Sequence, residues 1–263
     1  MKPILPGYMS DPLSAWSTPL AAPLSVPFPF AFRDVTVLTL TYRTSPAAVR
    51  ALLPEPLVPT SDWVLIHLYN MGDVDWLGSY GECNVMVGAG LPGGPGGGFS
   101  PFLFLNSDSG LAQGREVHGQ PKKSGNPRVE TRGDLIVGIL ERNGIDVVTG
   151  TVPYKHTRST IDELKRATFD FALNINYKVI AHIDGRPAIR QLTSRRLTEV
   201  KVHECWADPC SVELRANMQA PVHLLPVLET GRAWHWHTEF SLVPGEILHD
   251  YLKNDDNVPD SRP

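Results

Sequence analysis

The apolar residues of the chain come in short runs, several of them alternating with polar neighbours, and glycine or proline interrupts most of them. Val35 to Arg43 (VTVLTLTYR) is rich in β-branched residues and alternates in places, which predicts a strand. Trp63 to Tyr69 (WVLIHLY) predicts another, and Phe102 to Leu105 a short apolar one. Asp134 to Arg142 and Ile145 to Tyr154 flank Asn143-Gly144, a pair suited to a type I′ turn because both residues tolerate positive φ, so a hairpin is expected there. Strands resume at Tyr177 to Ile183, turn at Asp184-Gly185, and continue through Ile189 to Cys205, Cys210 to Met218 and Trp234 to Val243.

Helical signals are few. Ser45 offers an N-cap and Pro46 an N1 residue for a helix from Ala47 to Leu53, which Pro54 and Pro56 stop. Ser159-Thr160-Ile161-Asp162-Glu163 opens a second helix, to about Ala172, with a capping-box pattern at its start. Two short helices among many strands predict a mainly β, α+β chain built as a closed or sandwiched, mostly antiparallel sheet. No repeat or linker interrupts residues 30–255, so one domain is expected over 1–263, with a proline-rich extended arm at 1–30 and a frayed tail at 253–263.

Composition narrows the partners. The 24 prolines and 22 glycines force frequent turns and exclude long helices. With 24 Lys+Arg against 28 Asp+Glu and no basic run, the chain carries no electrostatic footprint for nucleic acid. No stretch approaches the ~18 apolar residues of a membrane span, and prolines break the N-terminal apolar region, so neither membrane nor secretion is expected. Three cysteines, Cys83, Cys205 and Cys210, are too few and too odd for a disulfide framework, which points to a reduced, cytoplasmic protein with small-molecule partners. Leu91 to Gly98 lacks the ending of a phosphate-binding loop and reads as a flexible loop.

Gly114-Arg-Glu-Val-His-Gly-Gln-Pro-Lys-Lys123 concentrates the ionisable groups. If extended, it presents Glu116, His118, Gln120 and Lys122 on one face and Arg115, Val117 and Lys123 on the other. Spacing alone favours a solvated turn, because lysine is seldom buried. His235, His237 and Glu239 share a strand face and have metal-ligand chemistry, but a half-polar face over Trp234 and Trp236 explains them equally, and no metal is expected.

Pattern beyond spacing decides the lysines. Ser17-Thr-Pro-Leu20, Tyr42-Arg-Thr44, Pro54-Glu-Pro-Leu57, Gly114-Arg-Glu116 with Pro121-Lys-Lys123, Tyr154-Lys-His156, Val202-His-Glu204 with Trp206, and Asp250-Tyr-Leu-Lys253 stand in order along nearly the whole chain. In these motifs the sequence resembles acetoacetate decarboxylase and its superfamily of Schiff-base enzymes. The resemblance implies a β cone or barrel, a homo-oligomer, and no cofactor beyond a covalent Schiff base between Lys122 and a keto substrate. It implies Glu82 as the carboxylate beside the iminium and Tyr251 as a further proton donor. Gln120, Arg115 and His118 are the expected substrate contacts, and Lys123 the neighbour that tunes the amine. Reactive lysine must be neutral near pH 7 although its ordinary pKa is ~10.4, and burial is expected to outweigh Lys123, which a strand turns away.

The departures matter too. Aligned without gaps, the family's active-site arginine becomes Val35, one of its glutamates becomes His67, and Gln120 replaces an aromatic residue; Arg33 reaches the pocket only through a shift in register. These changes favour an aldolase-dehydratase that condenses pyruvate with an aldehyde to an unsaturated 2-keto acid, or runs the reverse reaction. Decarboxylation of a β-keto acid is the alternative, and a non-catalytic ligand-binding barrel the second.

Overall fold

The computed structural model describes residues 17–20, 22–94, 96–169 and 173–254. β1 (Phe30–Arg43) lies antiparallel between β2 (Val58–Val74) and β12 (Glu229–Leu242), and β3 (Gly78–Gly90) and β4 (Gly96–Leu105) extend the sheet beyond β2. β9 (Leu173–Ala181) joins β4, β10 (Pro187–Pro209) joins β9, and β10 returns to β12, so the strands form a ring. β5 (Lys122–Ser124) adds to β4, and β13 (Glu246–Asp250) adds to β10. The expected mainly β ring is present. It is not wholly antiparallel: β4 meets both β5 and β9 in parallel, because long connections allow the chain to cross over, a helical stretch before β5 and a far longer excursion before β9.

A second sheet of β6 (Asn126–Arg132), β7 (Leu135–Arg142), β8 (Ile145–Pro153) and β11 (Ser211–Leu214) covers the outer face of the ring. The predicted hairpin joins β7 to β8, with Asn143 and Gly144 at φ of 55° and 79°. Leu38, Leu40 and Leu68 pack against Ile136, Leu140, Val148 and Val152 between the two sheets. A different set, including Phe30, Phe32, Val35, Val37, Trp236 and Phe240, fills the ring interior.

One irregularity decides which β1 residues face inward. Phe30 and Phe32 occupy even positions, Val35 and Val37 odd ones, yet all four belong to the interior. The parity changes at a bulge between Phe32 and Val35, where Asp34 takes a φ of 52° and packs against Gly72 of β2. The bulge leaves Arg33 outside, where it pairs with Asp75 at 2.7 Å and Asp73 at 3.6 Å. A register shift therefore exists, but it turns Arg33 away from the interior.

The helices are short. α1 (Pro46–Leu52) starts with Pro46 in its first turn, although Ser45 makes no side-chain cap. The capping box of Thr160 and Glu163 opens α3 (Ile161–Ala167), which stops before the expected Ala172 as Thr168 Oγ1 donates to the Leu164 carbonyl. The extended reading of 114–118 is corrected: α2 (Asp108–Ala112), capped by Ser107, runs into a π turn over Gln113–His118 that ends at Gly119 with φ of 77°. The glycine-rich loop is also corrected, since Gly96 to Gly98 belong to β4, where a Cβ on Gly98 would meet Met86 Cε at 2.1 Å.

Most of the N-terminal arm, residues 1–16 and 21, lies outside the described residues, as does the tail from 255. Lys253 and Asn254, assigned to that tail from sequence, belong to α4 (Tyr251–Asn254). The end of the arm packs on the ring: the Val26 N–H donates to Gln113 Oε1 at 2.7 Å, and the Phe28 ring meets His118 at 5.2 Å. Among the described residues no helix is long and apolar enough to cross a membrane.

Gly138 and Gly150 are direct partners across β7 and β8, and this pair lets the outer sheet approach the ring. A Cβ on Gly150 would lie 2.1 Å from Leu40 Cδ1, and one on Gly138 2.8 Å from both Leu38 and Leu68 methyl groups. Gly150→Ala is expected to cost about 1–3 kcal/mol of overpacking in urea unfolding. A double-mutant cycle with Leu40→Ala is expected to show favourable coupling, since the smaller side chain vacates the contested space; additive effects would place the strain elsewhere.

Candidate active site

β5 places Lys122 in the ring. Its partners across β4 are Leu103 for Lys122 and Phe104 for Lys123, so the pleat points the two lysines to opposite sides. Lys122 is 6% exposed and Glu82, from β3, 4%. Lys122 Nζ lies 2.9 Å from Glu82 Oε2 and donates to the Gly110 carbonyl at 3.0 Å. Gly114 of the π turn is required for this path, because a Cβ there would stand 2.5 Å from Lys122 Cδ and Cε. Arg115 Nη1 donates to the Lys122 carbonyl at 3.1 Å and holds the backbone from outside.

Burial pushes the Lys122 amine below its ordinary pKa; Glu82 opposes that shift and Arg195 adds to it. Lys123 takes no part: its Nζ donates to the Gln219 carbonyl and Oε1, each at 2.8 Å. The tuning assigned to Lys123 from sequence thus belongs to desolvation, with Arg195 as the contributing cation. A neutral amine has two N–H groups and one lone pair. Glu82 and Gly110 accept both hydrogens, which leaves the lone pair free for a substrate.

The cavity over this amine is small, about 30 Å³. Glu82, Gln120, Lys122 and Arg195 are its charged and amide groups, Tyr69 and Tyr80 its phenols, and Phe32, Met71, Leu197, Phe240 and Leu242 its apolar wall. Burial, then the Glu82 charge, raise the pKa of both tyrosines, so they stay protonated donors. A wider cleft of about 930 Å³ lies elsewhere, around Trp63, Arg166, Phe169 and Trp234, and its lining includes no lysine, cysteine, histidine or carboxylate. The smaller cavity is the one that brings a lysine and a carboxylate together.

The remaining expected contacts are not assembled there. Arg115 is exposed. His118 is buried beside Phe28, and its carbonyl accepts from Thr193 Oγ1. Tyr251 packs against Tyr177 and His249 and donates to the Glu55 carbonyl, away from the cavity lining. His237 faces Asp34, Glu239 binds Lys201, and no group of His, Cys, Asp or Glu among the described residues is arranged to hold a metal.

Sequence reasoning missed Arg195, which reaches the cavity from β10. With its amide oxygen turned to the guanidinium, Gln120 accepts from Arg195 Nε at 3.1 Å and Nη2 at 3.2 Å. Only strand parity marks this residue, and parity alone does not say which face is interior.

Residues 17–252 match the family model for acetoacetate decarboxylase. The chain belongs to the acetoacetate decarboxylase family. It is 36% identical over 242 residues to the acetoacetate decarboxylase of Chromobacterium violaceum, covering 91% of this chain and 96% of the relative. Acetoacetate decarboxylase 3 of Mesorhizobium japonicum is 34% identical over 247 residues, covering 94% and 95%. A solved acetoacetate decarboxylase superposes with a TM-score of 0.86 at 31% identity, over 91% of this chain and 97% of the other. The biosynthetic enzyme MppR, solved with pyruvate, shares 19% identity at a TM-score of 0.74 over 90% of this chain and 98% of its own, a likeness of fold alone. The family works through a covalent lysine Schiff base without an external cofactor.

Two buried histidines set the acid limit of the site. His67 Nδ1 lies 2.8 Å from Thr39 Oγ1, which accepts from Trp236 Nε1 at 3.0 Å. Burial first, then Arg195, hold His67 and His118 down to about 3. The unfolded chain therefore binds protons that the folded one refuses. Stability is expected to fall as pH drops from about 6.5 towards 3, by about 1.4 kcal/mol per pH unit for each histidine. Urea unfolding of His67→Gln across that range is expected to show a slope shallower by one histidine's share; an unchanged slope would contradict this assignment.

Proposed function

We propose that the protein decarboxylates short β-keto acids, with acetoacetate as the reference substrate, through a Schiff base on Lys122. The buried amine, with both hydrogens accepted by Glu82 and Gly110, carries this reading. Relatives at 34–36% identity named acetoacetate decarboxylases support decarboxylation over the aldolase-dehydratase expected from Val35, His67 and Gln120.

The Lys122 lone pair attacks the ketone carbon, and the carbonyl oxygen leaves as water after protonation, giving an iminium. The bond from Cα to the carboxylate then breaks. Carbon dioxide departs, and the electron pair becomes the enamine double bond while the iminium nitrogen becomes neutral. Protonation of the enamine carbon restores an iminium, and water hydrolyses it to a methyl ketone and free amine. Glu82, in contact with the reacting nitrogen, stabilises each cationic stage and exchanges protons with it. Tyr69 and Tyr80 supply hydroxyls on the cavity wall.

Acetoacetate incubated with the enzyme is expected to release carbon dioxide, and borohydride to leave an isopropyl adduct on Lys122. The rate constant for this reaction is expected to rise with pH through an apparent pKa below the ordinary lysine value, since only the neutral amine attacks. Lys122→Ala is expected to reduce release to the uncatalysed rate, and Glu82→Gln to slow it by about 10²–10⁴-fold. A pyruvate adduct that goes on to condense with aldehydes, without carbon dioxide release from acetoacetate, would restore the aldolase reading. Turnover retained by Lys122→Ala would end both.

A further inference from the structure

Arg195 is a cation without a carboxylate. Among the described residues it has no ion-pair partner within 4.0 Å; Glu82, the acid that shares its cavity, lies 2.9 Å from Lys122 and balances the guanidinium only from beyond contact distance. Half of the surrounding lining residues are apolar, Phe32, Met71, Leu197, Phe240 and Leu242. Arg195 is half-buried, and a guanidinium beside such a wall is stabilised by an anion in direct contact.

Gln120 fixes which part of the guanidinium is available. Its oxygen accepts from Nε and Nη2, the side edge of the group. Arginine has five N–H donors, so three remain uncommitted, and two of them, one on Nη1 and one on Nη2, form the end fork. That fork can grip a carboxylate through two parallel hydrogen bonds. β1 offers no substitute, because Val35 is fully buried and apolar and Arg33 is paired with Asp75 outside the ring.

We infer that Arg195, held edge-on by Gln120, is the carboxylate subsite of this cavity, so that the pocket selects keto acids as anions over neutral ketones of similar shape. The inference rests on the Schiff-base reading for the ketone end of the substrate and adds the group that recognises the acid end.

Levulinate and 2-pentanone test it, being a keto acid that cannot lose its carboxylate through an enamine and a neutral ketone of similar length. Borohydride trapping of each on Lys122 in the full-length protein, quantified by peptide mass spectrometry, gives two half-saturating concentrations. Their ratio cancels any change in amine reactivity. The wild-type protein is expected to prefer levulinate by at least about tenfold, from a charge-assisted bidentate contact. Arg195→Met is expected to bring the ratio to about one, and Arg195→Lys to restore part of it. Labelling of Arg195→Met by 2-pentanone reports that the site is still formed. If that variant labels with neither ketone, Gln120→Leu decides: a preference reduced several-fold supports the subsite, and an unchanged one overturns it. A levulinate preference that survives in Arg195→Met also overturns it. Should borohydride fix nothing on Lys122 even in the wild type, the Schiff-base reading falls by itself. Calorimetric binding of levulinate lost in Arg195→Met would then still uphold the subsite, and binding retained would reject it.

Discussion

The fold is organised around an amine that has been taken out of water. Desolvating lysine disfavours its charged form, so the carboxylate and carbonyl that face Lys122 must hold it without restoring its full basicity. Several local features make sense only as conditions for that burial. β5 adds to β4 in parallel and points Lys122 inward; the π turn brings Gly114 against its methylenes; Gly119, at positive φ, turns the chain where a Cβ would stand 2.3 Å from Lys178 Cβ. The second sheet, seated through Gly138 and Gly150, removes solvent from the outer face of the strands that carry the site.

Burial also explains the neutral histidines. His67 and His118 sit in the field of Arg195, and a further cation there would face both desolvation and repulsion. Glu82 then opposes the charge of Arg195 within one cavity while Lys122 is neutral. With a keto anion on Arg195, iminium formation adds a positive charge as the substrate brings a negative one. In the proposed reaction, loss of carbon dioxide removes both together, since the carboxylate leaves neutral and the iminium nitrogen becomes an enamine. The cavity need not solvate an unbalanced charge at that stage, which suits a site walled by Phe32, Phe240 and Leu242.

Local chemistry was the most legible part of the sequence. Asn143-Gly144 dictates its turn and Thr160 with Glu163 its helix start because both signals lie within a few residues and require nothing from the rest of the chain. The strand runs were readable for the same reason. Ring closure through β10 and β12, the parallel joins at β4 and the π turn were not, because they follow from contacts between distant segments. The ordered motifs carried Lys122 and Glu82, which the fold brings into contact in one cavity, yet they also carried Tyr251, whose hydroxyl is engaged by the Glu55 carbonyl, and Arg115, which braces backbone instead. A motif fixes where a residue lies along the chain and leaves its side-chain partner to tertiary structure.

The missing cation shows how far that distinction reaches. Reading β1 alone, Val35 removes an arginine and Arg33 stands two residues away. The bulge at Asp34 settles the matter by inverting the parity of the strand, which keeps Phe32 and Val35 inside and sends Arg33 to Asp75. In the ring, β12 alone separates β1 from β10, and β10 delivers Arg195 into the same interior. Loss of positive charge from one strand therefore does not mean loss from the cavity. A cavity enclosed by a ring collects side chains from every strand around it, and its electrostatics follow from that sum, which no single strand's sequence displays.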